Sequence, residues 1–474
     1  MSTTRRTPAP DRAAPPRRAI VLGASIAGLL AARVLSERFD EVLLMERDEL
    51  PDGPAPRKGT PQAVHPHGLL ARGREVIEAL LPGFTQALVD QGATIGDLGE
   101  SVDFQADGAI FAKARAGHQG IGSSRLAIEA EIRQRVLALP GVQVMTGVDV
   151  LEPVHDAGRI TGVRWAPRDA ADEVDVTPAD LVVDCTGRGS RLPMWLRRWG
   201  YRPVFEDRVQ IGLVYVSAYF ERDPDIRATP AAAICTATPG NPRPGVLIAQ
   251  ERDAQGRGRW IAGVGGYQGD HPMCSRQGLL ERARQVGNRD IVALAESGRM
   301  IDDVARYAFP HSQRRRYERM RRFPAGLLAM GDAITSFNPI YGQGMTVAAC
   351  QALALHHALA HGEARLAKRF FREAARVIDI PWQLAVGADL ALPCVRGERP
   401  LSVRLTNAYV ARLRRAAVHD ATVAAAFMKV VHLVQRPPTL FAPGIVWRVL
   451  RKGGEGKTRA YTARAAMPAY DGGR

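Results

Sequence analysis

The residues best able to do chemistry begin at Gly23-Ala24-Ser25-Ile26-Ala27-Gly28. This segment follows an apolar run, 18–22, that reads as a buried strand. It opens a stretch, 25–38, in which Ile26, Leu29, Leu30, Val34 and Leu35 recur at helical spacing. A dinucleotide pyrophosphate needs backbone N–H groups at a helix N-terminus with no side chain in the way. Gly23 permits the tight turn and Gly28 lets the helix pack closely on the strand. Ser25 stands where a second glycine is usual, and its small hydroxyl can itself donate to a phosphate. A second buried strand, 41–45, ends at Glu46, 23 residues after Gly23, where a carboxylate binds a ribose diol. An acid there favours FAD or NAD over a 2′-phosphorylated nucleotide. The glycine string alone is a weak signal, since a structural turn in another α/β fold can carry it. Strand, turn, helix, strand and terminal acid together are stronger. Gly263-Val264-Gly265-Gly266 follows a strand but opens no helix, and reads as a strand-end turn.

These residues need a scaffold, and 474 residues exceed what one core usually serves. At 46% apolar and 24% charged the composition is that of a soluble globular chain, and no apolar run reaches membrane-spanning length. The first 17 residues, rich in Pro, Arg and Ala, read as a disordered basic tail without a signal-peptide core. The five cysteines are scattered and show no CxxC spacing, which argues against a disulfide framework or zinc site and for a reducing cytoplasm. Net charge is +15, concentrated in the tail, in Arg314-Arg315-Arg316 with Arg319, Arg321 and Arg322, and from Arg448 onward. No nucleic-acid motif accompanies it, so nucleic-acid binding is not expected. Peripheral contact with a membrane or partner protein through the basic segments stays open.

Further along, helical spacing predicts elements at 69–81, 124–139 and 344–360. Short strands are predicted at 208–220, 231–237, 246–249, 260–264 and 327–330. The tail reads as helical, punctuated by Pro381, Pro393 and Pro437-Pro438. Three more segments carry polar residues at strand ends: Ser124-Arg125-Leu126, Asp184-Cys185-Thr186-Gly187-Arg188-Gly189-Ser190-Arg191, and Gly331-Asp332-Ala333. The run 337–345, FNPIYGQGM, lies just beyond the last.

In this order and spacing the chain resembles the single-component FAD-dependent monooxygenases of the p-hydroxybenzoate hydroxylase fold, over roughly residues 18 to 365. Within them it is most similar to the actinobacterial branch that includes the polyene epoxidases of polyether biosynthesis. Its carriers are GASIAG, RKGTPQAVHPHGLL, DCTGRGSRLP and FNPIYGQGM. The resemblance implies that Asp332 bonds the flavin ribityl chain and that Gly331 lets the backbone approach. It implies that Pro339, Gly342, Gly344 and Met345 form a turn and helix start beside the pyrimidine ring. Arg125 resembles the arginine that reaches the FAD phosphate or ribose, and Arg47, Arg57 and Gln62 are placed to line the cofactor. A surface salt bridge is the alternative for each arginine. The DCTGRGSR segment departs from the family's Asp-Gly motif, with Thr186 where the aspartate sits. That puts the motif's NAD(P)H role in doubt and leaves Asp184, Gly187 and Arg191 as cofactor neighbours. His65 and His67 flank Pro66, and flavin linkage, substrate contact and ordinary loop positions all remain open; no metal is expected.

The expected fold is α/β. A Rossmann-type FAD-binding domain (18–92, 122–190 and 306–365) carries an inserted antiparallel substrate-binding β-sheet domain (93–121 and 191–305) and a helical C-terminal region (366–474). The resemblance implies NAD(P)H reduction of FAD and O2 transfer through a flavin C4a-hydroperoxide, giving epoxidation or hydroxylation of a lipophilic, electron-rich small molecule of secondary metabolism. The sequence identifies no catalytic base, which leans toward an alkene. The pocket is expected near Val214, Tyr215, Val216 and Tyr219. Competing readings are a flavin reductase of isoprenoid-like double bonds and a non-catalytic FAD-binding protein.

Overall fold

The computed structural model describes residues 16–222 and 230–454. Nearly all of the expected basic tail, and residues 455–474 of the expected helical region, lie outside the described residues.

Five short apolar strands form a wholly parallel sheet. Arg18–Leu22 lies at its centre, between Glu41–Met45 and Leu181–Asp184; Val142–Met145 and Leu327–Ala329 form the edges. Parallel strands need crossovers that cover both faces, so they are apolar on both sides. Ala19, Ile20, Val21 and Leu22 are accordingly fully buried. Helix Ile26–Leu35 packs against helices Arg125–Leu137 and Gly344–Ala360 over this sheet. Because the strands run the same way, the segments after Leu22, Met45, Asp184 and Ala329 all emerge at one edge. That convergence brings residues 23, 46, 187 and 332 together across 300 residues of chain.

A second sheet has eight strands. In spatial order they are Thr335–Ser336, Ala305–Arg315, Glu206–Arg222, Gly258–Tyr267, Gly245–Gln250, Ala232–Cys235, Val102–Ala106 and Ala109–Ile110. It is not wholly antiparallel as expected, because Val102–Ala106 runs parallel to Ala232–Cys235. That pairing joins segments 130 residues apart, and alternation within either strand carries no trace of it.

Three local expectations change. Gly263-Val264-Gly265-Gly266 is no strand-end turn but lies inside Gly258–Tyr267, paired throughout with Glu206–Arg222 and, at Gly263 and Val264, also with Gly245–Gln250. A Cβ on Gly263 would lie 2.7 Å from Pro66 Cγ, and one on Gly265 3.1 Å from Pro244 Cγ, so these glycines let two prolines close on the sheet. Pro381 does not interrupt the tail, because helix Leu366–Ala391 runs through it. The lost amide bond is offset by apolar burial on either side, at Phe370, Phe371, Ile378, Trp382 and Ala385. Finally, Arg314-Arg315-Arg316 is not a surface patch. Arg314 pairs with Asp379, Arg315 with Glu206 and Arg316 with Asp207, all from elements distant in sequence. No helix among the described residues is long and apolar enough to cross a membrane.

Candidate functional site

The glycine turn is built for close approach. Gly23 has φ +95°, and a Cβ there would sit 2.9 Å from the Cys185 carbonyl oxygen. On Gly28 it would meet the Gly23 carbonyl. Ser25 caps the helix with extended backbone and no side-chain cap bond. Its Oγ instead donates to Glu129 (3.0 Å) and accepts from Arg125 Nη2 (2.6 Å). Glu46 is buried, accepts from the Ala24 amide at 2.8 Å and the Asp48 amide at 3.1 Å, and lies 3.4 Å from Arg57. Arg57 also pairs with Asp48 and Glu129. Burial works against the Glu129 carboxylate, yet Arg125 and Arg57 outweigh it and hold the group below its ordinary range. The structure thus gathers Gly23, Ser25, Gly28, Glu46, Arg57 and Arg125 at one place. Glu129, four residues after Arg125 on the same helix face, joins them; its i,i+4 spacing was the available signal. Arg47 stands outside with its side chain largely exposed, and Gln62 is half-buried on the short turn Pro61–Val64.

A second group approaches from the far strands. Gly331 has φ +66°, its amide donates to Gln351 Oε1 at 2.7 Å, and a Cβ there would lie 2.6 Å from Ala27 Cβ. The turn therefore presses on the first helix and sets Asp332 beside the glycine turn. The Asp332 carboxylate is partly reachable yet accepts no hydrogen bond among the described residues. Burial pushes its carboxyl above the usual range, against the pull of Arg188, Arg125 and Arg315. Gly187, at φ +77°, would place a Cβ 4.0 Å from Asp332 Cβ. Asp184 is turned inward: Oδ1 accepts from Thr186 N and Oγ1, and Oδ2 from Ser190 Oγ. It ties the 184–190 loop together. Arg191 reaches the Val150 carbonyl and stacks near Trp195, away from this group. Its neighbour Arg188 takes the inner position, bonding Ser336 and the His311 carbonyl with its guanidinium over Phe309. The sequence offered two arginines three residues apart and nothing to choose between them.

The third element is the run 337–345. Gly342 turns left-handed at φ +65°, and helix Gly344–Ala360 starts at once. A Cβ on Gly344 would meet nothing, so the helix start faces open space, while Met345 is buried. Pro339, Ile340, Tyr341 and Gly342 line a mostly apolar cavity of about 210 Å³. Its other walls are Pro66–Leu70, the glycine-rich inner strands of the large sheet, and Met428, Val431 and His432 of the C-terminal region. Tyr215 lines it as expected, whereas Val214, Val216 and Tyr219 fall in the core.

Three histidines stand at this space: the half-buried His67 and His432 line it, and the buried His65 lies behind Tyr215. His65 lies with Nδ1 2.7 Å from Ser217 Oγ, edge-on to Tyr215 and Tyr307. His67 Nδ1 donates to the His65 carbonyl at 2.8 Å, which leaves Nε2 with its lone pair. His432 Nδ1 accepts from the Ala71 amide, at the start of helix Ala71–Leu80, which leaves the proton on Nε2. Burial lowers His65 and His432 to about 4. Burial, with Arg125 nearby, lowers His67 to about 3. His432 comes from 361 residues beyond Ala71, and no local pattern marks it.

No family model matches the sequence. Solved structures share the architecture, among them two flavin-dependent enzymes. The flavin-dependent brominase Bmp2 superposes with a TM-score of 0.64 at 12% identity, covering 91% of this chain and 97% of that one. The p-nitrophenol 4-monooxygenase PnpA from Pseudomonas putida DLL-E4 gives 0.58 at 16%, covering 88% and 97%. The fold is that of the flavin-dependent monooxygenases related to p-hydroxybenzoate hydroxylase. At the level of sequence, Protein Rv3254 of Mycobacterium tuberculosis (strain ATCC 25618 / H37Rv) is 36% identical over 354 residues, 73% of each chain. The chain belongs to the family of that protein.

Proposed function

We propose that the protein binds FAD and is a monooxygenase that uses NAD(P)H and O2 to epoxidise or hydroxylate a lipophilic, electron-rich small molecule. One observation carries the reading: the run 339–342 lines the apolar cavity and also opens the helix whose Gln351 holds the Asp332 turn. A substrate in the cavity and a cofactor in the cleft would therefore meet at the same turn.

FAD fits the residues present. The Gly23–Gly28 turn brings a helix N-terminus to the cleft with Ser25 and Arg125 beside it, which suits a pyrophosphate, and Glu46 at the end of its strand would meet a ribose. Asp332, reachable and without a hydrogen bond, is left for a hydroxyl donor. When bound, the flavin supplies the electron transfer and oxygen activation. The chain's own part is to orient the substrate and exclude water, for which the apolar, glycine-floored cavity is suited. Near neutral pH His67 is an uncharged acceptor and His432 an uncharged donor. A base at about 3 takes a proton poorly from a phenol, which supports a neutral substrate such as an alkene. Placement in the polyether-epoxidase branch, a role in secondary metabolism and a cytoplasmic setting belong to the same proposal; five free cysteines are in keeping with the last.

The test is the visible spectrum of the purified protein, then NAD(P)H and candidate lipophilic alkenes and phenols under 18O2. Bound flavin with one labelled oxygen in the product supports the reading. A reduced product without label would favour the reductase. Absence of any flavin affinity would remove the cofactor assignment altogether.

A further inference from the structure

Eleven large apolar side chains are exposed among the described residues, and five of them lie between 401 and 450: Leu401, Leu405, Phe441, Trp447 and Leu450. Leu401 and Leu405 are one turn apart on helix Leu401–His419, with Tyr409 next. The Tyr409 ring stacks on Phe441 with centroids 4.6 Å apart. Arg412, one turn further on, donates to the carbonyls of Val449 and Leu450 on helix Pro443–Lys452. Trp447 is one turn before Leu450, with Arg451 over its ring. The five side chains therefore follow one flank across two helices and the short turn Pro437–Phe441 that precedes the second. Trp447 is 57% exposed and Leu401 67% exposed.

The charge of the same region has one sign. Residues 401–454 hold nine lysines and arginines and a single carboxylate, Asp420. Asp420 is buried and already paired with Arg448 and Lys452. An apolar strip edged by cations, with no exposed acid, matches the interfacial plane of a bilayer with anionic headgroups. There the apolar tips enter the acyl boundary, tryptophan sits at headgroup level, and long basic side chains reach back to phosphate. A symmetric contact between two copies would instead set this cationic flank against itself. Between the two helices lies helix Ala421–Val431, whose Met428 and Val431 wall the apolar cavity.

We propose that the flank formed by helices Leu401–His419 and Pro443–Lys452 docks the protein on an anionic lipid bilayer. The docking requires no turnover and stands whichever reaction the site performs.

The experiment is co-sedimentation of the full-length, flavin-loaded protein with phosphatidylcholine vesicles, with and without phosphatidylglycerol, at low and high salt. Wild type is expected to bind the anionic vesicles at least about tenfold more tightly than the neutral ones, and high salt weakens this. The double variant W447E/L450E loses about tenfold or more, and R451E/K452E loses the preference for anionic lipid. A surface control, F205E/M273E, binds as wild type; thermal melts of all variants exclude misfolding as the cause. Wild-type protein that ignores anionic vesicles overturns the proposal. So does W447E/L450E that sediments unchanged, or a dimer that this variant dissolves.

Discussion

The side-chain amide of Asn338 donates to Asp389 Oδ1 at 2.7 Å, and this bond ties the run 337–345 to helix Leu366–Ala391. The same amide donates to the Tyr267 hydroxyl at 3.0 Å, and Tyr341 donates to Asp389 Oδ1 at 2.9 Å. Asp389 is fully buried and its Oδ2 has no partner. The turn that lines the cavity thus rests on a carboxyl group brought by the C-terminal region.

Asp389 makes stability depend on pH. Burial raises its carboxyl to about 7, while hydrogen bonds from Asn338 and Tyr341 oppose the shift. Tyr267, Tyr341 and Cys394 are titratable groups that face it. The folded chain keeps a proton that the unfolded chain releases near 3.8, so this contribution is complete below that value and lost as pH rises to about 7. It amounts to about 4 kcal/mol at most. Asp389→Asn should remove the loss, so that the variant's Tm gains on wild type between pH 5 and 8. Parallel Tm curves would count against this assignment.

The histidines at the cavity act in the opposite sense. Their folded values, about 4 for His65 and His432 and about 3 for His67, lie below the ordinary 6.5. Their contribution is present above 6.5 and drains as pH falls toward the folded values, because the unfolded chain takes up protons first. Urea midpoints of Asp389→Asn should therefore fall steadily from pH 7 to 5. His432→Gln should flatten part of that fall and, with the Ala71 amide less well satisfied, lower stability by about 1 kcal/mol. A midpoint independent of pH in this window would contradict the histidine assignment.

Asp332 and Arg125 should govern flavin retention. Asp332→Ala removes a carboxylate of the cleft that accepts no hydrogen bond among the described residues. Arg125→Ala removes one of the two partners of Ser25 Oγ and leaves Glu129 with Arg57 as its cationic partner. Each should weaken FAD binding about tenfold or more, worth ~1.4 kcal/mol or above, seen as lower flavin occupancy and a higher Kd by fluorescence titration. Unchanged occupancy in both would mean that the flavin lies elsewhere.

Cavity size should be set at Gly263. A side chain there meets Pro66 and Val246, at 2.7 and 3.3 Å from the Cβ. Gly263→Val should exclude bulky substrates, raising KM about tenfold while flavin content stays near wild type. Equal losses for large and small substrates would show that the change disturbs the fold instead.

The glycine turn, its flanking strands, Glu46 and helix Gly344–Ala360 were legible in the sequence, the helix to the residue. Each is specified within one window: apolar runs make the buried strands, φ +95° demands glycine at 23, and the last strand residue is followed by its acid. The cluster at Ser25 was legible only in part. Arg125 stood out, while Glu129 became meaningful once helix Arg125–Leu137 lay against the turn.

What the tertiary structure decided was every relationship between distant segments. It chose Arg188 over Arg191, turned Asp184 inward, carried helix Leu366–Ala391 through Pro381 and neutralised Arg314-Arg315-Arg316 with acids from other elements. It also brought His432 and Asp389 from the C-terminal region to the cavity and to the turn beneath it. The physical reason is one of range. Backbone preference and apolar periodicity act over a few residues and are written locally. Burial, ion pairing and the protonation of a histidine or carboxyl depend on which groups are packed alongside, and only the folded chain sets that.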